Sequence, residues 1–231
     1  GELFKWASHD DLYARALLER CVDALDENPH VVLAHSWTAL VDDSGAVTKL
    51  LEYPLDTASP RAPERFRSML FANGGDDVYG VVRADVLRRT PLHGSHHHAD
   101  RTITTDIALL GPFYEVPEWL YFRRDHPGRE ERACPTLRTR CANMDPRRAD
   151  PWRHPAVRLY GEYILGYVTA IRRAPMSSAE RRECYRHLAE WMTSRALPRA
   201  QEPPLAARPP AAPEHPIVSV DTLVAGQERM S

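Results

Sequence analysis

Lysine is nearly absent: Lys5 and Lys49 stand alone against a total of thirty basic residues. Arginine therefore carries almost all positive charge, and thirty-two acids leave a formal net charge of -2. That near balance supplies no chain-wide field to draw in nucleic acid or an anionic membrane. The four cysteines (Cys21, Cys134, Cys141, Cys184) are too scattered for a disulfide scaffold and form no CxxC pair with zinc-site spacing. No apolar run reaches the roughly 18 to 20 residues of a membrane helix, and the first residues lack the pattern of a signal peptide. The expectation is a soluble, cytoplasmic chain without a transmembrane segment and without nucleic acid as partner. At 231 residues it is long enough to enclose a core unaided.

The chain does contain an alternation of strand and helix patterns, which predicts an α/β sheet over residues 1–130. Glu2 to Ala7 reads as a buried strand running straight into an acidic pair, Asp10-Asp11. A strand that opens a chain in this way leads us to expect a preceding segment. Apolar residues at helical spacing predict a helix over 11–28 that ends at Asn28-Pro29. Strands are predicted at 31–35 and 47–51 around the turn 42–45, and a helix over 63–71. A strand is expected at 78–82, a short helix at 84–89, a helix over 100–110 closed by Gly111 as a C′ residue, and short strands at 113–116 and 119–122 around Pro117. Residues 131–196 read as a helical extension: 157–171 is apolar and aromatic, and Ser177-Ser178-Ala179-Glu180 is a capping box opening a helix through about Ser194. The Pro/Ala-rich stretch 197–231 reads as an extended, flexible tail.

Three local signals can carry chemistry. In the first, Trp6 to Leu12, a strand delivers Asp10 and Asp11; adjacent acids there either cap the following helix or hold a hard cation. The second runs from His98 to Gly111, where Asp100 is either an N-cap or a reactive carboxylate, and Asp106 reads as a structural acid. The third, Tyr121 to Gly128, ends a strand in Arg124-Asp125-His126, where an imidazole can complete a Mn-like shell or stay in solvent.

In this order the signals resemble the second half of a family 2 glycosyltransferase with the GT-A fold. Ser8-His9-Asp10-Asp11-Leu12 occupies the Asp-X-Asp-type motif, with Ser8 where many members have the first acid. Val78 to Arg83 is similar to the Gly-containing stretch on the acceptor side, Ala99-Asp100 falls on the Glu-Asp pair, and Arg124-Asp125-His126 on the Arg-X-His element. The resemblance implies a Rossmann-like mixed sheet flanked by helices and an inverting transfer from a nucleotide-diphosphate sugar to a small-molecule or glycan acceptor. It implies Asp100 as general base, Asp10, Asp11 and His126 at a divalent cation (Mn2+ or Mg2+), and His9, Tyr79, Gly80 and Arg124 in contact with substrate. The family's first βαβ unit, which grips the base, would precede Gly1. Two rival readings stand beside it: a silent GT-A-like protein that binds sugar or a partner, and a metal-dependent hydrolase built on the run from His93 to His98, in which His96, His97 and His98 and the acids would converge on one cation. Those histidines are open to three roles, namely a metal site, loop residues without a role, or acceptor contacts.

Overall fold

The computed structural model describes residues 1–51, 55–72, 76–126, 128–129, 133–196 and 219–228. In the described residues the strands are β1 (Leu3–Lys5), β2 (Leu12–Tyr13), β3 (Leu33–Val41), β4 (Val47–Leu51), β5 (Val81–Arg83) and β6 (Phe113–Arg124). They form one mixed sheet in the order β1-β5-β3-β6-β2, with β4 also on β3. The β3–β6 pairing is parallel, and the other pairings are antiparallel.

Helices α1 (Leu17–Glu27), α2 (Ala62–Phe71), α3 (Ala84–Leu87) and α4 (Ala99–Leu110) belong to the sheet region, followed by α5 (Leu137–Met144), α6 (Ala156–Arg173), α7 (Ser178–Ala196) and α8 (Val220–Glu228). One face of the sheet packs Ala39, Val41 and Phe122 against Leu17, Cys21 and Leu25 of α1. The other packs Leu33, Val82 and Phe113 against Met69 of α2, Val86 of α3, and Ile103 and Ile107 of α4. A third core joins Phe66 and Leu109 to Tyr167 and Ile171 of α6 and to Leu188 and Trp191 of α7, so the helical extension packs back on the sheet region.

The expected helix over 11–28 is shorter. Leu12 and Tyr13 are drawn into the sheet opposite Phe122 and Tyr121, and α1 begins only at Leu17. Asp10 and Asp11 therefore cap no helix. Pro117 does not divide β6 either: register moves from Ser36↔Val116 to Trp37↔Trp119, and the proline sits in that irregularity, where no ladder N–H is required. The strand expected at 78–82 starts late, because Asp76–Tyr79 form a 3-10 turn before β5. Gly111 is extended (φ 179) rather than left-handed. It is needed for closeness, since a Cβ there would lie 2.3 Å from Val32 Cγ1.

The capping box forms as read: Ser177 Oγ accepts from Glu180 N (3.2 Å), and Glu180 Oε2 accepts from Ser177 N (2.9 Å). The proline-rich stretch lies outside the described residues up to 218. Beyond it, α8 lays Val220, Leu223 and Val224 on the α1 side of the sheet, and Ser219 bridges Ala46, so this part of the expected flexible tail is an ordered helix. The sequence pattern i, i+3, i+4 explains its one apolar face. Among the described residues no helix is long and apolar enough to cross a membrane.

Candidate functional site

The loop from β1 to β2 and the end of β6 meet, and there the structure brings Asp10 and His126 together. Asp10 Oδ2 lies 3.0 Å from His126 Nε2, and Asp10 Oδ1 accepts from Ser8 Oγ at 2.6 Å. The Ser8 hydroxyl, and then His126, hold the Asp10 carboxyl down at about 2, so it is ionised at any working pH. Both side chains stay partly open to solvent, at 29% for Asp10 and 25% for His126. Replacing Ser8 by alanine removes the larger of the two stabilising bonds. The Asp10 pKa is then expected to rise toward the ordinary carboxylate value, readable in a carboxyl-carbon NMR titration; an unchanged titration would mean that His126 alone sets it.

Asp11 has a different task. Its carboxylate accepts from Tyr121 Oη and, at 2.9 Å, from Arg124 N, so both oxygens tie the loop to β6. Burial and the Asp11 charge push the Tyr121 phenol up, which keeps it a donor. Tyr13 adds a second tether by accepting from Ser8 N at 2.7 Å. Sequence reading missed Tyr13 and Tyr121, because nothing in their spacing separates them from other strand aromatics. Arg124 donates from Nε to the Asp10 carbonyl (3.1 Å), which holds its guanidinium beside the motif. His9 is 97% exposed, and its Nδ1 is 3.9 Å from Asp10.

Asp100 lies in the first turn of α4 but does not cap it. His98 occupies the cap with a left-handed backbone (φ 52), and among the described residues no side-chain hydrogen bond caps the helix. Tyr79 lies within the electrostatic reach of Asp100. Its phenol is raised to about 12, first by burial and then by the charges of Asp11, Asp100 and Asp76 around it. The ring stacks on Tyr121 at 5.2 Å. Gly80 is required for packing: a Cβ there would stand 2.5 Å from the Ala34 carbonyl, so only glycine lets the chain cross β3 this closely and place Tyr79. His35, Ser36, Asp76, Tyr79, Gly80 and Tyr121 line a crevice that has no space for a water molecule. Asp76 pairs with Arg123 at 3.0 Å.

The histidine loop packs elsewhere. The His97 and His98 rings lie with centroids 3.7 Å apart and planes tilted by 43°, and His98 lies 5.5 Å from Tyr163 of α6. Burial, then His98, lowers His97 to about 4. Among the described residues no group of three or more His, Cys, Asp or Glu side chains is placed to hold a metal. That leaves the hydrolase expectation without a metal cluster.

The same fact limits a cation at Asp10. The protein offers two donors, a carboxylate oxygen and an imidazole nitrogen, and their 3.0 Å separation suits neighbouring ligands of one hard ion with bonds of about 2.1 Å. The donor set fits a divalent cation only when other oxygens complete its shell. No protein-family model matches the chain, and no curated protein matches it.

Proposed function

We propose that the chain contributes the catalytic side of a family 2-like inverting glycosyltransferase of GT-A type, using a nucleotide-diphosphate sugar and a hydroxyl or amine acceptor. The reading is supported above all by the Asp10–His126 pair, two protein donors 3.0 Å apart where a loop tethered by Asp11 and Tyr121 meets the end of β6. Two donors are too few for a resident ion, and a diphosphate is the ligand that supplies the missing oxygens. A divalent cation, when bound, supplies charge that offsets the leaving diphosphate.

In this reading, Asp10 and His126 hold that cation. Arg124, anchored through the Asp10 carbonyl, presents its guanidinium to phosphate oxygens. Asp100 takes the proton from the acceptor as its oxygen or nitrogen bonds to the anomeric carbon, and the bond from that carbon to the diphosphate breaks with its electron pair leaving on oxygen. A single displacement inverts the anomeric centre. Tyr79, stacked on Tyr121, shapes the acceptor side.

Calorimetry with Mn2+ and inorganic pyrophosphate tests the pairing. Mn2+ alone is expected to bind weakly, and pyrophosphate to tighten it roughly tenfold or more by completing the shell. The gain should vanish in Asp10→Ala and in His126→Ala. Tight binding of Mn2+ to the protein alone, or synergy that survives Asp10→Ala, would overturn the reading.

A further inference from the structure

The net charge conceals two opposite halves. Residues 1–130 hold fourteen basic and twenty-one acidic side chains, whereas residues 131–196 hold thirteen arginines against seven acids. The excess is densest over 137–173, with eight arginines and only Asp145, Asp150 and Glu162 opposing them. Each of those acids already pairs with arginine neighbours, Asp145 with Arg147, Asp150 with Arg153, and Glu162 with Arg148 and Arg158; Arg173 is further offset by Asp106 of α4, and a positive surplus remains.

This basic layer also exposes apolar surface. α6 turns Leu159, Tyr163, Tyr167, Ala170 and Ile171 inward. Its outer side shows Tyr160 (54% exposed), Val157 (78%) and Leu165 (59%), which at 3.6 residues per turn spread over a broad stripe of about 140° with Val157 between the other two. In the turn leading into the helix, Trp152 is 93% exposed. The side chains of Arg147 and Arg153, on either side of Trp152 in sequence, are 86% and 84% exposed.

We propose that this face, Trp152 with the outer stripe of α6, docks on the surface of an anionic lipid bilayer. Tryptophan and tyrosine beside aliphatic residues suit the headgroup level, where an amphipathic helix can lie in the plane of the interface. The surrounding arginines suit acidic headgroups. A second copy is the less favourable occupant, because a twofold contact would set one arginine-rich layer against another. His97 packs edge-on to Tyr160 at 6.3 Å, so the loop that leads into α4 borders the same face. The proposal stands on surface chemistry alone and does not depend on the transfer reading.

Sedimentation with phosphatidylcholine vesicles, with and without phosphatidylglycerol, tests it. The chain is expected to pellet with the anionic vesicles, to bind neutral ones at least tenfold more weakly, and to be released by salt. Trp152→Ala combined with Leu165→Ala should weaken binding roughly tenfold or more without changing the melting temperature, since both side chains are exposed. Arg147→Gln and Arg153→Gln should each weaken it about fivefold. Three outcomes would overturn the proposal: no pelleting with anionic vesicles at low salt, equal binding to neutral vesicles, or variants that bind like the parent. A concentration-dependent dimer that Trp152→Ala with Leu165→Ala disperses would assign the face to a second copy instead.

Discussion

Asp100→Asn is expected to lower the turnover of sugar transfer by about 10² to 10⁴-fold, the range that a positioned general base contributes. The amide keeps the size and the place of the carboxylate in the first turn of α4, so the fold remains. What it loses is the ability to accept a proton. Asp100 is a credible base because the bland role for an acid at a helix start is taken by another residue: His98 holds the cap position, and among the described residues no side-chain bond caps α4. Diphosphate-dependent Mn2+ binding, which the proposal assigns to Asp10 and His126, should survive the change. A variant that keeps parental turnover would remove Asp100 from the chemistry, whereas one that loses turnover and Mn2+ binding together would show that Asp100 supports the site's shape instead.

The largest effect on stability is expected from Arg173→Ala. Asp106 of α4 is 2% exposed; its Oδ2 accepts from Arg173 of α6, and its Oδ1 has no hydrogen-bond partner among the described residues. Burial raises its pKa to about 6 in spite of that arginine. Without Arg173 the carboxylate is buried and unpaired, a change that costs about 3 kcal/mol. For a chain of this size the midpoint should fall by roughly 6–12 °C at pH 7.5. The sign of the pH effect follows from the raised pKa. The folded state favours the protonated acid, so the contribution of Asp106 is fully favourable below its ordinary value of 3.8 and declines as pH rises toward about 6. Protonated Asp106 needs no cation, and the loss in Arg173→Ala should therefore shrink as pH falls below 6. Melts at pH 7.5 and pH 5 check this, with Arg173→Lys as the partial rescue. An equal loss at both values would place the cost in lost packing rather than in the buried charge.

How much of this was legible in the sequence can be judged from particular residues. The apolar faces of α6 and α7 and the Ser177–Glu180 box were readable, because helix period and capping are local properties. Leu12 and Tyr13 were misread as helix since they fit the same spacing, and only pairing with Phe122 and Tyr121, more than a hundred residues away, decides otherwise. Pro117 suggested a break that the irregular register absorbs. Within the site, Asp10 and His126 stood out as residue types and meet in space. The division of labour between Asp10 and Asp11 did not stand out. It depends on where Tyr121 and the Arg124 amide lie, which neighbouring sequence does not specify. The charge asymmetry was present in the composition from the start but disappeared in the sum.

The core shared by Phe66, Leu109 and Tyr167 ties the behaviour of distant segments together over time. Native chains open in cooperative units whose members lose protection together, and α2, α4 and α6 belong to one such unit by their common packing. An excursion that lifts α6 away also uncovers the inner side of α4, and with it the turn that holds Asp100. The outer helices thus set how long the Asp100 turn keeps its native place, and with it the carboxylate to which the proposed transfer assigns the proton.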